Sequence, residues 1–196
     1  MSFEKGYVQV YTGNGKGKTT AAIGLAIRAL GAGKRVLFLQ FMKAKSYSEH
    51  KILPNISQNL TLETLGKPFF VARKEDLDPA TLAKWQDKCV IFEPGNPPQE
   101  YIKLMKKGIV MAQKAVTNGE YDLVILDEIN VAMFFELINI EDVVEIIENK
   151  AAHVELVLTG RNCPEKILDK ANLVTEMREI KHYYQEGVEA RMGIEN

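Results

Sequence analysis

Cysteine is scarce in this sequence. The 196 residues hold two, Cys89 and Cys163, far apart and outside any C-x-x-C or Cys/His cluster, which argues against a structural zinc site. An excess of one charge is also missing. Lysine and arginine number 25 against 26 aspartates and glutamates, for a net charge of -1. Chains that live on nucleic acid usually carry a basic excess, so the balance speaks against that partner. No apolar run approaches the roughly 20 residues that span a bilayer. The opening stretch from Met1 to Gly13 is charged and lacks the apolar core of a signal peptide. The expectation is a cytoplasmic chain with no membrane partner. Internal repeats, low-complexity tracts and an interdomain linker are absent too, and the length suits one domain, residues 1–196.

Alternation of two segment types fills the chain. Tyr7 to Tyr11, Val36 to Phe41, Leu60 to Leu65, Tyr121 to Leu126, Val154 to Leu158 and residues 172–176 read as strands. Between them, Ala21 to Leu30 reads as a helix ended by Gly31. Ile102, Met105, Ile109, Ala112 and Val116 recur at steps of three and four, one face of a long helix that Asn118-Gly119 stops. Val143, Ile146 and Ile147 mark another helix, and a short one falls near 164–170. Residues 66–98, with several prolines, read as loop around a short helix at 79–88. Most of the strands are continuously apolar, as buried parallel strands are when helices cover both faces of a sheet. The expected class is α/β.

The strand–loop–helix unit at its start carries the strongest chemical signal. Its loop reads Thr12-Gly13-Asn14-Gly15-Lys16-Gly17-Lys18-Thr19-Thr20. Glycines let backbone N–H groups turn toward phosphate oxygens, and the following helix offers its N-terminal amides and positive dipole end. Lys18 supplies a charge, and the Thr19 hydroxyl can ligate Mg²⁺. The common phosphate loop, G-x-x-x-x-G-K-[ST], wants glycine where Thr12 stands, and Lys16 is an extra cation, so the loop is a variant. It predicts a three-layer, P-loop NTPase-like (RecA-like) domain with a mostly parallel central sheet.

A second signal is acidic. Asp127-Glu128 follows the apolar strand 121–126, and ligands of open parallel sheets bind at those strand ends. A carboxylate there can hold Mg²⁺ opposite the phosphate loop. An acidic pair after a strand is by itself just as often a solvated end or a helix cap. Spacing does not say which of the two would touch the metal.

The run from Thr12 to Ala22 resembles the variant phosphate loop of the ATP:corrinoid adenosyltransferases. The resemblance continues in the same order at Gln40-Phe41, Leu126-Asp127-Glu128, Leu158-Thr159-Gly160-Arg161 and Lys181-His182. It ends at Gly187-Val188-Glu189-Ala190-Arg191-Met192-Gly193-Ile194-Glu195. Three departures stand out. Relatives often carry a helical extension before the first strand, where this chain starts almost at the strand. Some place a tryptophan shortly after a glycine in the middle loop, where Gly66 is here followed by Lys67, Pro68, Phe69 and Phe70. Lys88 to Tyr101 looks like an insertion.

The resemblance implies transfer of the 5′-deoxyadenosyl group of ATP to the cobalt(I) of a corrinoid, cob(I)alamin or cob(I)yrinic acid a,c-diamide, with release of triphosphate. It implies Mg²⁺ and ATP as co-substrate, a reduced flavoprotein as electron donor, and a homodimer. Lys16 and Lys18 are the candidate catalytic cations, aimed at charge that develops as the C–O bond breaks. Residues Thr12 to Thr20 and Arg161 are the candidates for ATP or substrate contacts, and Thr19, Asp127 and Glu128 for the metal. The family eases cobalt reduction by removing a lower axial ligand, and axial ligation tunes a metal's potential. Phe69 and Phe70 are the candidates for the apolar wall this needs; their alternative is burial in the core. For Arg161 the alternative is a surface salt bridge, and for His182 simple packing. His50 and His153 show no partner pattern and read as structural or surface residues. Lys43 and Lys45 read as loop lysines that either face an anion or are simply solvated.

Three other readings share the phosphate loop. A small-molecule kinase or ATPase would release ADP, and would show an acceptor-site base and an arginine-rich lid. A RecA-type nucleic-acid module would need a basic stripe and salt-dependent binding. A nucleotide-gated regulator would release no product.

Overall fold

The structure, a computed structural model, describes residues 3–44, 47–67, 70–77, 89–93 and 95–196. A six-stranded sheet runs β3-β2-β6-β7-β1-β8, and every neighbouring pair is parallel. Its strands are β1 (Val8–Thr12), β2 (Val36–Phe41), β3 (Leu60–Leu65), β6 (Leu123–Asp127), β7 (Glu155–Thr159) and β8 (Leu173–Glu176). A separate parallel pair joins β4 (Phe70–Arg73) to β5 (Cys89–Phe92).

Side-chain alternation along the strands divides the core into two layers. Val36 and Phe38 of β2, Leu123 and Ile125 of β6 and Val157 of β7 face α1 (Lys18–Gly31), which meets them with Ala22, Ala26 and Ala29. Leu37, Leu39 and Phe41, Val124 and Leu126, and Leu156 and Leu158 point the other way. They pack under α3 (Gln99–Asn118), α4 (Ile129–Phe134) and α5 (Ile140–Glu148). The inner strands β2, β6 and β7 are largely apolar because both faces are covered, as the continuous runs implied, whereas the edge strand β8 is exposed. Gly108 on α3 serves this packing: a Cβ there would stand 2.4 Å from the Leu65 side chain and 2.6 Å from that of Phe41.

The short α2 (Leu53–Ile56), a 3₁₀ turn at Ser48–Lys51 and α4 were not legible in the sequence. Each is too brief to show a helical period. Residues 66–98, read as loop around a helix, contain the β4–β5 pair, and the helix at 79–88 lies outside the described residues. The apparent insertion from Lys88 to Tyr101 supplies β5 and the start of α3. Phe92 packs edge-on against Phe135, centroids 6.2 Å apart, tying this pair to the layer under α4. α6 (Glu165–Leu168) is shorter than the expected 164–170 and leads into β8. Among the described residues no helix is long and apolar enough to cross a membrane.

Candidate active site

The phosphate loop follows β1 and turns into α1 at Gly17, whose φ of 119° is open to glycine at little cost. Gly13 and Gly15 answer a different demand. The backbone beyond β8 lies against them, so that a Cβ at Gly13 would sit 2.4 Å from the Met177 carbonyl oxygen and one at Gly15 2.8 Å from it. Met177 N donates to Thr12 O at 2.8 Å and Gly15 N donates to Met177 O at 2.7 Å, closing the contact. Thr12 is therefore the last residue of β1, in register with Glu176.

A cavity of about 530 Å³ opens over this loop. Gly15, Lys16, Gly17, Lys18, Thr19 and Thr20 line it, together with Glu128, Arg161 and His182. Lys43, Tyr47, Glu49 and residues 193–196 also line it. Thr12, Gly13 and Asn14 border a different hollow, behind the loop, with Asn162, Cys163 and Arg178. Phe69 lies outside the described residues; of Phe70 the structure describes the backbone, at the start of β4.

Lys18 is buried, and its ammonium donates to Gly13 O and Gly15 O, both at 2.7 Å. Burial lowers its pKa from the ordinary lysine value, with the Glu128 charge acting the other way. Lys16 is more exposed. Its ammonium donates to Glu195 Oε1 at 2.8 Å and to Ile194 O at 3.1 Å, so the tail straps the loop. Arg191 also holds Glu195, and the carboxyl is pulled well below the usual range by hydrogen bonds from Arg191, Lys16 and Tyr183.

The acidic pair divides its work. Asp127 is fully buried. It accepts from Thr19 Oγ1 at 3.0 Å, Thr159 Oγ1 at 2.6 Å, Gln40 Nε2 at 3.1 Å and Lys43 Nζ at 3.0 Å. A buried carboxylate is tolerated only when so surrounded. Glu128 has φ 61° and caps α4, a left-handed turn that an L-residue adopts at a cost. The turn brings Glu128 to the cavity, while its N–H donates to Thr159 Oγ1 at 3.0 Å. Burial first, and then the Asp127 charge, raise the Glu128 pKa. The strands β2 and β7 end similarly, with Met42 at φ 59° and Gly160 at φ 131°.

Sequence reasoning passed over several of these partners. Lys43 is not a solvated loop lysine: its side chain is 12% exposed and paired with Asp127. Burial works against its charge, but Asp127 and Glu128 more than offset this and raise its pKa. His50 is not a bystander either, since its Nε2 lies 2.5 Å from Gln40 Oε1, behind the Asp127 cluster. His153 packs against Gly119, as expected of a structural residue. Lys45 lies outside the described residues. One signal for the missed polar partners was available. Gln40, Asp127 and Thr159 each stand two positions beyond an apolar residue of the α1-facing row, Phe38, Ile125 and Val157.

Against this geometry the family comparison is decisive. The sequence model of the family described as ATP:corrinoid adenosyltransferase BtuR/CobO/CobP matches residues 4–196. The chain belongs to that family. It is 31% identical over 193 residues to the corrinoid adenosyltransferase CobA of Salmonella typhimurium, covering 98% of this chain and 86% of that protein. The corrinoid adenosyltransferase of Escherichia coli is 30% identical over 193 residues, with the same coverage. A similar protein from Sinorhizobium sp. is 30% identical over 195 residues, covering 98% and 81%. Among solved structures, the flagellar accessory protein FlaH of Methanocaldococcus jannaschii aligns over 89% of this chain and 72% of its own. Its TM-score is 0.49 at 14% identity. Most of the segments that carry the family resemblance converge in space: the loop at 15–20, Glu128, Arg161, His182 and the tail line one cavity, with Gln40, Asp127 and Thr159 joined by hydrogen bonds behind it, while Thr12 to Asn14 face away.

Proposed function

We propose that this chain, as one domain, transfers the 5′-deoxyadenosyl group of ATP to the cobalt(I) of a corrinoid and releases triphosphate. The observation that carries the reading is the cavity itself. It combines a phosphate loop, Glu128 at a strand end with the buried Asp127 behind it, and a strapping tail, all within the residues that the adenosyltransferase family model matches.

In this reading the triphosphate lies along Gly15 to Thr20. Lys18 leaves the carbonyls of Gly13 and Gly15 for the phosphate oxygens, and Lys16 and Arg161 add charge from the cavity wall. Thr19, Asp127 and Glu128 would hold Mg²⁺. The donor set suits that ion, a hydroxyl and two carboxylates being hard oxygen ligands, and the Lys43 ammonium between Thr19 and Asp127 marks a place that favours a cation. Among the described residues no cluster of three or more His, Cys, Asp or Glu could hold a metal. Mg²⁺ is commonly held through only one or two protein carboxylates, so Asp127 and Glu128 with Thr19 would suffice. When bound, the ion neutralises charge on the triphosphate.

The electron pair of cobalt(I) attacks C5′, the cobalt–carbon bond forms, and the C5′–O bond breaks with its pair leaving on the triphosphate. No protein nucleophile is required. In this reading the residues of the loop would meet the negative charge that grows on the triphosphate, a preorganised arrangement of the kind that lowers such barriers. Phe69 and Phe70 are proposed as the apolar wall that excludes the lower cobalt ligand. Either cob(I)alamin or cob(I)yrinic acid a,c-diamide satisfies the chemistry. A reduced flavoprotein would supply the electron, in a cytoplasmic setting. A homodimer is in keeping with the uncovered edge strand β8, where Leu173 and Val174 are exposed.

The test is an anaerobic assay with ATP, Mg²⁺ and chemically reduced corrinoid. A light-sensitive alkylcobalt spectrum together with triphosphate is the expected result. Unchanged cobalt(I) with ADP would instead indicate a kinase or ATPase.

A further inference from the structure

Lys43 occupies a position that a loop lysine has no ordinary reason to take. Its ammonium lies 3.0 Å from Thr19 Oγ1 and 3.0 Å from Asp127 Oδ2, between two of the three groups assigned to the metal. The side chain is almost wholly withdrawn from water. Its ammonium also lies over the Tyr47 ring, 5.2 Å from the centroid.

The backbone beneath is equally constrained. Met42 turns through φ 59° and donates its N–H to Leu65 O at 2.8 Å. The Lys43 main chain then presses on Gly66 so closely that a Cβ there would stand 2.3 Å from the Lys43 carbonyl carbon. Two adjacent strand ends thus fix where this lysine starts, and the buried Asp127 charge fixes where it ends.

We infer that Lys43 is a built-in counter-ion that fills the metal seat of the nucleotide-free protein, is displaced by the divalent cation, and is then handed on to the triphosphate. The inference rests on the metal assignment of the proposed function. The seat prefers one cation at a time, because two cations sharing Thr19 Oγ1 and Asp127 Oδ2 would repel each other at short range. The displaced ammonium stays in the same cavity as Gly15 to Thr20, where nucleotide phosphates are the nearest new source of negative charge. Lys43 is in this sense a positioning residue: it keeps the Asp127 cluster assembled before the substrate arrives, and it makes cation and nucleotide bind well only together.

The arithmetic is that of a blocked site. If the ammonium holds the seat in about nine-tenths of the molecules, apparent affinity for a free divalent cation falls about tenfold. The experiment is Mn²⁺ binding to the nucleotide-free protein, followed by electron paramagnetic resonance, for the natural protein and Lys43→Met. The expected result is Mn²⁺ binding tighter by about tenfold or more in Lys43→Met, with Mg²⁺–ATP binding weakened in the same variant. A control, Arg161→Gln, removes a cation from the same wall without emptying the seat and should shift Mn²⁺ affinity far less.

Equal or weaker Mn²⁺ binding by Lys43→Met, or none, overturns the inference. Tighter Mn²⁺ binding with unchanged Mg²⁺–ATP affinity overturns the hand-over. Should Lys43→Met not fold, reductive methylation of the natural protein gives the answer by mass spectrometry. Lys43 should label faster when Mn²⁺ is added without nucleotide, and an unchanged rate counts against displacement. None of these measurements involves a corrinoid, so a failed adenosyl-transfer assay and a failed displacement are distinguishable.

Discussion

Thr19 and Asp127 meet across an intervening strand. Thr19 heads α1 directly behind β1, Asp127 ends β6, and β7 lies between those two strands. The Thr19 hydroxyl nevertheless donates to Asp127 Oδ1 at 3.0 Å. The span is bridged because β7 ends in Thr159, a short side chain whose hydroxyl donates to the same oxygen at 2.6 Å. Gln40, on β2, and Lys43, just after it, reach Asp127 from the other side.

Removing that hub should be costly. Asp127→Ala leaves the buried Lys43 charge without its partner, and breaking one side of a buried pair typically costs about 3–5 kcal/mol. Urea denaturation should show a loss of that size, with Asp127→Asn milder because the amide oxygen still accepts. A loss below about 1 kcal/mol would mean that Lys43 simply swings out to water.

The two loop lysines should separate functionally. Lys18→Ala should lower turnover about a hundred- to a thousandfold, as loss of a preorganised charge at a reacting group does, with the circular dichroism spectrum unchanged. A fully active Lys18→Ala protein would sink the proposed phosphate site. Lys16→Ala should act on the tail as well. Its expected signature is weaker ATP binding together with faster amide exchange over residues 191–195, since the contacts to Glu195 and Ile194 are lost.

Glu128 carries two burdens, a left-handed backbone and a carboxyl whose pKa burial has raised. Glu128→Gly should therefore stabilise the metal-free protein, by up to about 1 kcal/mol from the backbone alone, while abolishing turnover. The pH dependence has a definite sign. An acid with a raised folded-state pKa binds its proton more tightly when folded, so its contribution is favourable below the ordinary carboxylate pKa and is lost as pH rises through the raised value. The advantage of the glycine variant in thermal melts should accordingly grow from acidic toward neutral pH. A constant difference would leave only the backbone part.

Cys163 should be chemically quiet. Burial pushes its thiol up to about 12, so near pH 8 its thiolate fraction is about a thousandfold below that of an ordinary thiol. Iodoacetamide should label it slower than a free cysteine by about that factor, with mass spectrometry as the readout. The same shift predicts that stability falls as pH climbs from the ordinary thiol value toward 12. Rapid labelling of the folded protein at neutral pH would contradict the burial argument.

Much of this fold was legible because its strands obey a simple rule. β2 and β3 occupy the residues read as strands, and the helix of Ile102 to Val116 follows its own period within α3. The phosphate loop and the acidic pair announced themselves by residue type. What stayed hidden depends on pairing between distant segments. Nothing local to Lys43 says that Asp127, 84 positions away, will take its charge. Nor does Gly66 reveal that the main chain of Lys43 will rest on it. The β4–β5 pair was missed because four-residue strands among prolines carry too little pattern to stand out.

The contact of Gly13 and Gly15 with the chain after β8 has a mechanical consequence. A glycine-rich loop free in water would sample many shapes, and a nucleotide would have to select one of them. Here the Met177 backbone braces the loop from behind, so its curvature is set when β8 docks on β1. The loss of loop entropy belongs to folding rather than to nucleotide capture. The edge strand thus acts as a mould for the phosphate loop: a lesion anywhere along β8 would blunt ATP affinity without touching a single residue that meets the nucleotide.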